Sequence, residues 1–307
     1  MNRRIESAMT MMTDPRHFKL RLFIEGNIIG VATGMVIALF RYLLELSEEY
    51  LPVLYRWLPE HIVWIPVWFL ALFLCSWVLY RIVRKDGMTS GSGIPQIKGI
   101  LLGEMDMNWA RVLVLKFTGA VLGIGAGMSL GREGPSVQLG ACLGQGLGRL
   151  THRSYAESHY LLTAGAGAGL AAAFNAPLAG VIFCLEELTK NFSAFVLMGA
   201  ISAAVTATTV TQYFFGMQPV FHMGVVPVID TGHMYFLLIL LGAFVGLLGL
   251  AFNPMLTRSQ DFYKKVPARW RPVVPLFCAG ILGFVLPQVL GGGSRQIGRA
   301  SCRERVF

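Results

Sequence analysis

Charge is scarce in this chain. Asp, Glu, Lys and Arg together make up 14% of its 307 residues, against about 25% in a typical soluble domain. A soluble protein of this length needs far more charge to cover its surface, so two ordinary globular domains are excluded. Hydrophobic residues reach 54% and the mean hydropathy is +0.58. Disordered and collagenous chains are thereby excluded too, and a polytopic membrane protein remains. The cysteines Cys75, Cys142, Cys184, Cys278 and Cys302 are scattered, with no CxxC pair. Neither a disulfide framework nor a metal site is indicated, and the four in apolar stretches serve as small hydrophobes. The opening segment, MNRRIESAMTMMTDPRHFKLRLF, has no continuous apolar stretch followed by a cleavage site, so it does not read as a secretory signal. Glycine, in contrast, is plentiful at 35 residues, which suits close helix–helix approach in lipid.

The net charge of +9 is unevenly placed: Ser294 to Phe307 hold four arginines and one glutamate. Much of the remaining excess marks loops. Gly26 to Phe40 is uncharged and extends back through Leu22 to Ile24, with Glu25 as the one intruder. Ile62 to Tyr80, Leu161 to Leu185, Asn191 to Ile229, Thr231 to Thr257 and Pro272 to Ser294 are also charge-free. A bilayer needs about 20 apolar residues per helix, so five or six segments are expected to cross. Arg3, Arg4, Arg16, Lys19 and Arg21 precede the first segment, and Glu45, Glu48, Glu49 and Glu60 follow it. Arg81, Arg84 and Lys85 end the second, while Arg258, Lys264, Lys265, Arg269 and Arg271 follow the span near Tyr235 to Leu256. The positive-inside rule then places the N-terminus, the 81–90 loop and the 258–271 loop in the cytoplasm.

Residues 91 to 190 depart from that pattern, with short apolar pieces interrupted by Gly and Pro. Backbone freed at membrane depth is tolerated only inside protein or beside a cavity, and interrupted helices commonly form ion sites there. Gly91-Ser92-Gly93-Ile94-Pro95 and Gly131-Arg132-Glu133-Gly134-Pro135 have the chemistry of helix starts, where proline's missing N–H costs nothing. Free amides at a positive helix end attract an anion without a full charge. Ser92 adds a hydroxyl donor. Glu133 is the odd member, because a carboxylate at such a start can occupy the anion's own place, and protonation would remove that competitor.

Plainer readings accompany each residue. A Gly-rich start also suits close packing alone. Arg132 could reduce Glu133 to a structural ion pair. Glu186 and Glu187 could be solvated caps of an apolar helix. Lys116, within an apolar run, could simply donate to backbone carbonyls.

In order and spacing, GSGIP, GREGPSVQLG and FNAPLAGVIFCLEE resemble the ClC family of chloride channels and proton/chloride exchangers. Lys116 also resembles the family's lysine in WRVLxxKF. The resemblance covers about residues 20 to 293, and it implies an all-α polytopic membrane fold of tilted and partial helices, built as an inverted repeat. It implies an anion site at Ser92, with Gly91, Gly93, Ile94, Pro95, Arg132 and Gly134 around it. Glu133 is then the gate and external proton-transfer residue, and Glu187 the internal one, with Lys116 and Glu186 supporting. An acid at Glu187 favours proton-coupled chloride antiport over a passive channel. The resemblance further implies a homodimer with one pathway per subunit in the cell (inner or plasma) membrane. Chloride, protons and lipid are the partners; no cofactor, metal or nucleic acid is indicated.

Two departures stand out. Known bacterial exchangers resemble GSGIPEIEG, whereas this chain carries Gln96 and Lys98, which unsettles the network around Glu187. The family's GxFxP helix start and the tyrosine opposite Ser92 are also missing. The expected organisation is therefore a cytoplasmic segment over 1–20 and an incomplete transmembrane domain over 21–293, comprising the first half and the start of the second. Residues 294–307 read as a non-native tail. Such a fragment holds about half of an ion site, and transport is not expected from it alone. A separate pattern, GxSxG at Gly127-Met128-Ser129-Leu130-Gly131, raises an intramembrane serine protease. That needs a histidine facing the serine, and all six histidines fall in loops or at span edges.

Overall fold

The computed structural model describes residues 15–190, 192–217 and 232–292. The expected 294–307 tail, most of the 1–20 segment, and His222 and Cys302 lie outside what is described, as does the side chain of His233. The described residues form ten α-helices: α1 (Pro15–Trp57), α2 (Ile65–Lys85), α3 (Ile94–Leu101), α4 (Trp109–Gly125), α5 (Glu133–Leu150), α6 (Tyr155–Phe174), α7 (Pro177–Phe183), α8 (Ala194–Phe215), α9 (Gly232–Lys265) and α10 (Val273–Val285). A π-helical turn, Cys184–Thr189, extends α7.

Among the described residues, four segments are long and apolar enough to cross a membrane: His17–Glu60, Ile62–Lys85, Ala194–Phe215 and Tyr235–Lys265. Two expected spans are shorter than their apolar runs. Leu161 to Leu185 breaks between α6 and α7, where Asn175 is left-handed (φ 57°) and Ala176 is extended before Pro177. The residue before proline avoids the helical region, so the break is local chemistry. Pro272 to Ser294 yields only the 13-residue α10. Conversely, α1 runs 43 residues, about 65 Å at 1.5 Å per residue. It therefore tilts or projects beyond a hydrocarbon layer of about 30 Å.

The core surrounds α6. Its Ala164, Ala168 and Ala172 pack with Ile37, Phe40 and Leu44 of α1, Ile124 of α4, Leu139 of α5 and Ala203 and Ala207 of α8. A helix this apolar on all sides is a central one. Small residues permit the closeness. Gly140 of α5 and Gly165 of α6 each abut the other's carbonyl, leaving no room for a side chain. Along α1, Gly26, Gly30 and Gly34 meet Ser202, Ala203 and Val210 of α8 in the same way. Ala200, Ala203 and Ala204 of α8, small residues of the kind that suit a tight helix interface, are thus interior to one subunit and fully buried. Glu25 is buried as well, and Arg153 from the α5–α6 connection binds it through two guanidinium nitrogens. The intruding acid is a staple between α1 and that connection.

Gly165→Ala should lower the thermal midpoint of the protein in detergent, because overpacking costs about 1–3 kcal/mol. Gly246→Ala on α9, where an added methyl meets nothing within 4 Å, should leave the midpoint unchanged or raise it. Equal effects of the two would refute the close α5–α6 contact.

Candidate functional site

The 87–93 segment brings the chain from α2 into α3. Gly91 and Gly93 hold φ of 67° and 100°, a region that favours glycine, and at Gly93 a side chain would also collide with Gln138. Gly93 is the N-cap of α3 and no side chain caps it. The amide of Ile97 returns to the Gly93 carbonyl at 3.1 Å, so the amides ahead of it are left to other partners. The start of α5 is built alike. Arg132 is its N-cap, again without a side-chain cap, and Ser136 closes the first turn on the Arg132 carbonyl. The neighbouring helices differ. Asn108 caps α4 through the amide of Arg111, and Ser154 and Glu157 form a reciprocal capping box on α6. Side-chain caps are also absent at α2, α7, α8 and α10, so it is the mutual contact of the two motif-bearing starts that sets them apart.

Those two starts touch. A Cβ on Gly134 would stand 2.5 Å from the Ser92 carbonyl oxygen and 2.8 Å from the Ser92 Cβ. They face a cavity of about 520 Å³ lined by Gly91, Ser92, Lys116, Glu133, Gly134 and Pro135, with mainly apolar walls from α2 and α4. Apolar walls lower the local dielectric and strengthen every dipole directed inward. The Glu133 carboxylate folds back beside Gly131, where an added Cβ would lie 2.5 Å from Oε2. It therefore sits at the cavity wall beside its own helix start.

Lys116 is 4% exposed, and its Nζ donates to the carbonyls of Thr89 (3.2 Å) and Gly91 (2.7 Å). The plain reading of this lysine therefore holds in its contacts, while its position has a second consequence. It ties α4 to the loop before α3 and places a positive charge in the cavity wall. One residue was overlooked in the sequence: Gln138, fully buried on α5, donates to the Met88 carbonyl (2.8 Å), while Gln96, noted there as a departure, donates to the Ser90 carbonyl (2.8 Å). Both brace the 88–93 segment. A glutamine inside an apolar helix was the available signal for Gln138.

The remaining predicted residues lie elsewhere. Arg132 is not among the cavity-lining residues; its guanidinium lies over the Phe174 ring, 5.9 Å from the centroid. Among the described residues it makes no ion pair with Glu133, since a planar cation is well served by the aromatic face. Glu187 belongs to a second cavity, of about 360 Å³, with Lys98, His159, Tyr160, Thr163 and Lys190. There it is ion-paired with Lys98. The hydrogen bond from Lys98, and then its charge, hold the Glu187 carboxyl below the usual carboxylate range. Glu186 is exposed on the same π turn. Ser129 is exposed in the α4–α5 connection, and no histidine lines the adjacent 520 Å³ cavity.

Residues 71–303 match the family described as voltage gated chloride channel. An H(+)/Cl(-) exchange transporter, ClcA, of Vibrio cholerae serotype O1 is 35% identical over 283 residues, covering 87% of this chain and 59% of the relative. The transporter of the same name from Salmonella paratyphi B is 33% identical over 291 residues, covering 91% and 61%. The chain therefore spans about three fifths of the length of these relatives. Among solved structures, a slow cyanobacterial Cl⁻/H⁺ antiporter superposes with a TM-score of 0.80 at 28% identity, covering 89% of this chain and 66% of that one. A CLC-type fluoride/proton antiporter superposes with a TM-score of 0.77 at 25% identity, covering 94% and 71%.

Proposed function

Since this chain belongs to the voltage gated chloride channel family, we propose that it supplies about half of the ion site of a proton-coupled chloride antiporter, whose full-length form carries out the exchange. The carrying observation is the contact between two helix starts that lack side-chain caps, with a carboxylate beside them in one cavity. In this reading the Ser92 hydroxyl and the amides of the 91–95 and 131–135 starts hold chloride. Partial charges of helix ends bind an anion weakly enough for it to leave. Glu133 competes with chloride as a carboxylate and withdraws when protonated, so each protonation opens the path. Lys116 stabilises the loop and contributes long-range attraction. Arg132 acts by supporting the second start from behind, since it does not line the cavity. Glu187 exchanges protons with the cytoplasm. The protein is multi-pass in the cell membrane with its N-terminus cytoplasmic, supported by the basic residues at 81–85 and 258–271. It assembles as a homodimer, and chloride and protons are its cargo, with no cofactor required.

The second reading is a passive chloride channel, and the presence of an acid at Glu187 argues against it. The deciding experiment is a proton measurement in liposomes reconstituted with the full-length form of the protein. An imposed chloride gradient should drive protons uphill. Chloride flux that carries no protons would establish the channel instead. Repeating the measurement with fluoride separates a chloride exchanger from a fluoride one.

A further inference from the structure

The second cavity contains a contact that the function above does not use. Lys98 comes from α3, the helix whose start carries Gly93, and Glu187 comes from the π turn after α7, 89 residues later. Their side chains are 31% and 49% exposed, so the pair is neither sealed in the core nor free in solvent. Groups around Glu187 come from three elements: Lys98 from α3, His159 and Tyr160 from α6, and Glu186 and Lys190 from its own segment. Val196, from α8, adds an apolar wall. Lys98 is the group among these that is ion-paired with Glu187. A π turn re-aims the side chains it carries relative to a continuous α-helix, and such turns recur at functional sites.

We propose that Lys98 is a positioning residue for proton transfer, holding Glu187 toward the second cavity and setting the pH at which it loads a proton from the cytoplasm. The inference rests on the role proposed above for Glu187. The chemistry is simple: a proton from cytoplasmic water moves onto the Glu187 carboxylate, an O–H bond forms, and the attraction to the Lys98 ammonium is lost. Lys98 stays charged throughout. Because the lysine stabilises the deprotonated form, loading requires a lower pH than it would without Lys98, and the pair restrains proton entry. The depressed titration of Glu187 agrees with this geometry.

The test titrates the purified full chain and follows carboxyl infrared bands, with the Glu187→Gln spectrum subtracted to isolate Glu187. Lys98→Met should move the Glu187 midpoint to higher pH, raising the protonated fraction at a given pH above the midpoint about two- to fivefold, the range that exposed pairs produce. Lys98→Arg should restore the parent midpoint. Lys98→Gln provides a second neutral variant should Lys98→Met fold poorly. A midpoint unchanged in both neutral variants overturns the proposal. The same variants in liposomes separate the inference from its premise. The pH profile of proton uptake should shift in the same direction as the midpoint. A shifted midpoint with an unchanged uptake profile retires the transport role of Glu187 and leaves Lys98 as its electrostatic partner only.

Discussion

Glu133→Ala should abolish proton pumping in reconstituted liposomes while chloride still flows. The expectation follows from what one carboxylate does in two capacities. In the function proposed above, the carboxylate is drawn as an anion to the start of α5 where chloride is held, and its charge keeps chloride out. As an acid lining the same cavity, it would also take up and release a proton at each opening. Alanine removes the competitor and the proton acceptor together, so the anion path is left open and uncoupled. Glu133→Gln should behave similarly in coupling, because the neutral amide imitates the protonated acid and cannot be discharged. The measurement is the ratio of proton to chloride flux under a chloride gradient. It should fall to background in both variants. Simultaneous loss of chloride flux in Glu133→Ala would instead make Glu133 part of the anion site and end its assignment as the gate. The Arg132 guanidinium lies 5.9 Å from the Phe174 ring centroid and forms no ion pair with the carboxylate among the described residues.

The parts of the site that were legible from sequence are those fixed by local backbone chemistry. Glycine before proline marks a helix start wherever it occurs, and the 91–95 and 131–135 segments are such starts. Their mutual contact was hidden, because the approach of Gly134 to Ser92 joins residues 42 positions apart. Long-range partnership also explains the other surprises. The resemblance put Lys98 in the network around Glu187, but nothing in an eight-residue helix identifies the two as a direct ion pair. Arg132 adjoins Glu133 in sequence, yet neighbours on a helix do not face one another. In the fold, low charge and apolar runs identified the membrane class and most helices. They could not assign the small residues of α8 to a face, because dimer contact, lipid contact and internal packing all favour the same residue types. The answer lay in α1: Gly26, Gly30 and Gly34 recur every four residues and form the complementary stripe. The exposed apolar length of α9 is the converse case, a helix whose composition specifies lipid or protein surroundings equally well.

Gly134→Ala should weaken chloride binding by about tenfold or more, because an added methyl separates the two helix starts. The ideal Cβ position is 2.5 Å from a backbone oxygen of Ser92, and backbone cannot rotate aside as a flexible side chain would. One of the two segments must move. The loop before α3 is the constrained one, held by Lys116 at Thr89 and Gly91 and braced by Gln138 at Met88. The start of α5 is also fixed, since Val137, Leu139 and Ala141 immediately behind it are fully buried. A shift of even about 1 Å at a preorganised site costs orders of magnitude in activity, and each 1.4 kcal/mol of lost interaction is tenfold in affinity. Calorimetric chloride titration of the purified protein reads the loss directly. Thermal midpoints separate it from unfolding, and Gly242→Ala on α9, which meets no atom within 4 Å, controls for adding a methyl to a helical glycine. Undiminished chloride affinity in Gly134→Ala would mean that the anion does not lie between these two helix starts. Ser92 and Glu133 would then share a cavity without sharing an ion.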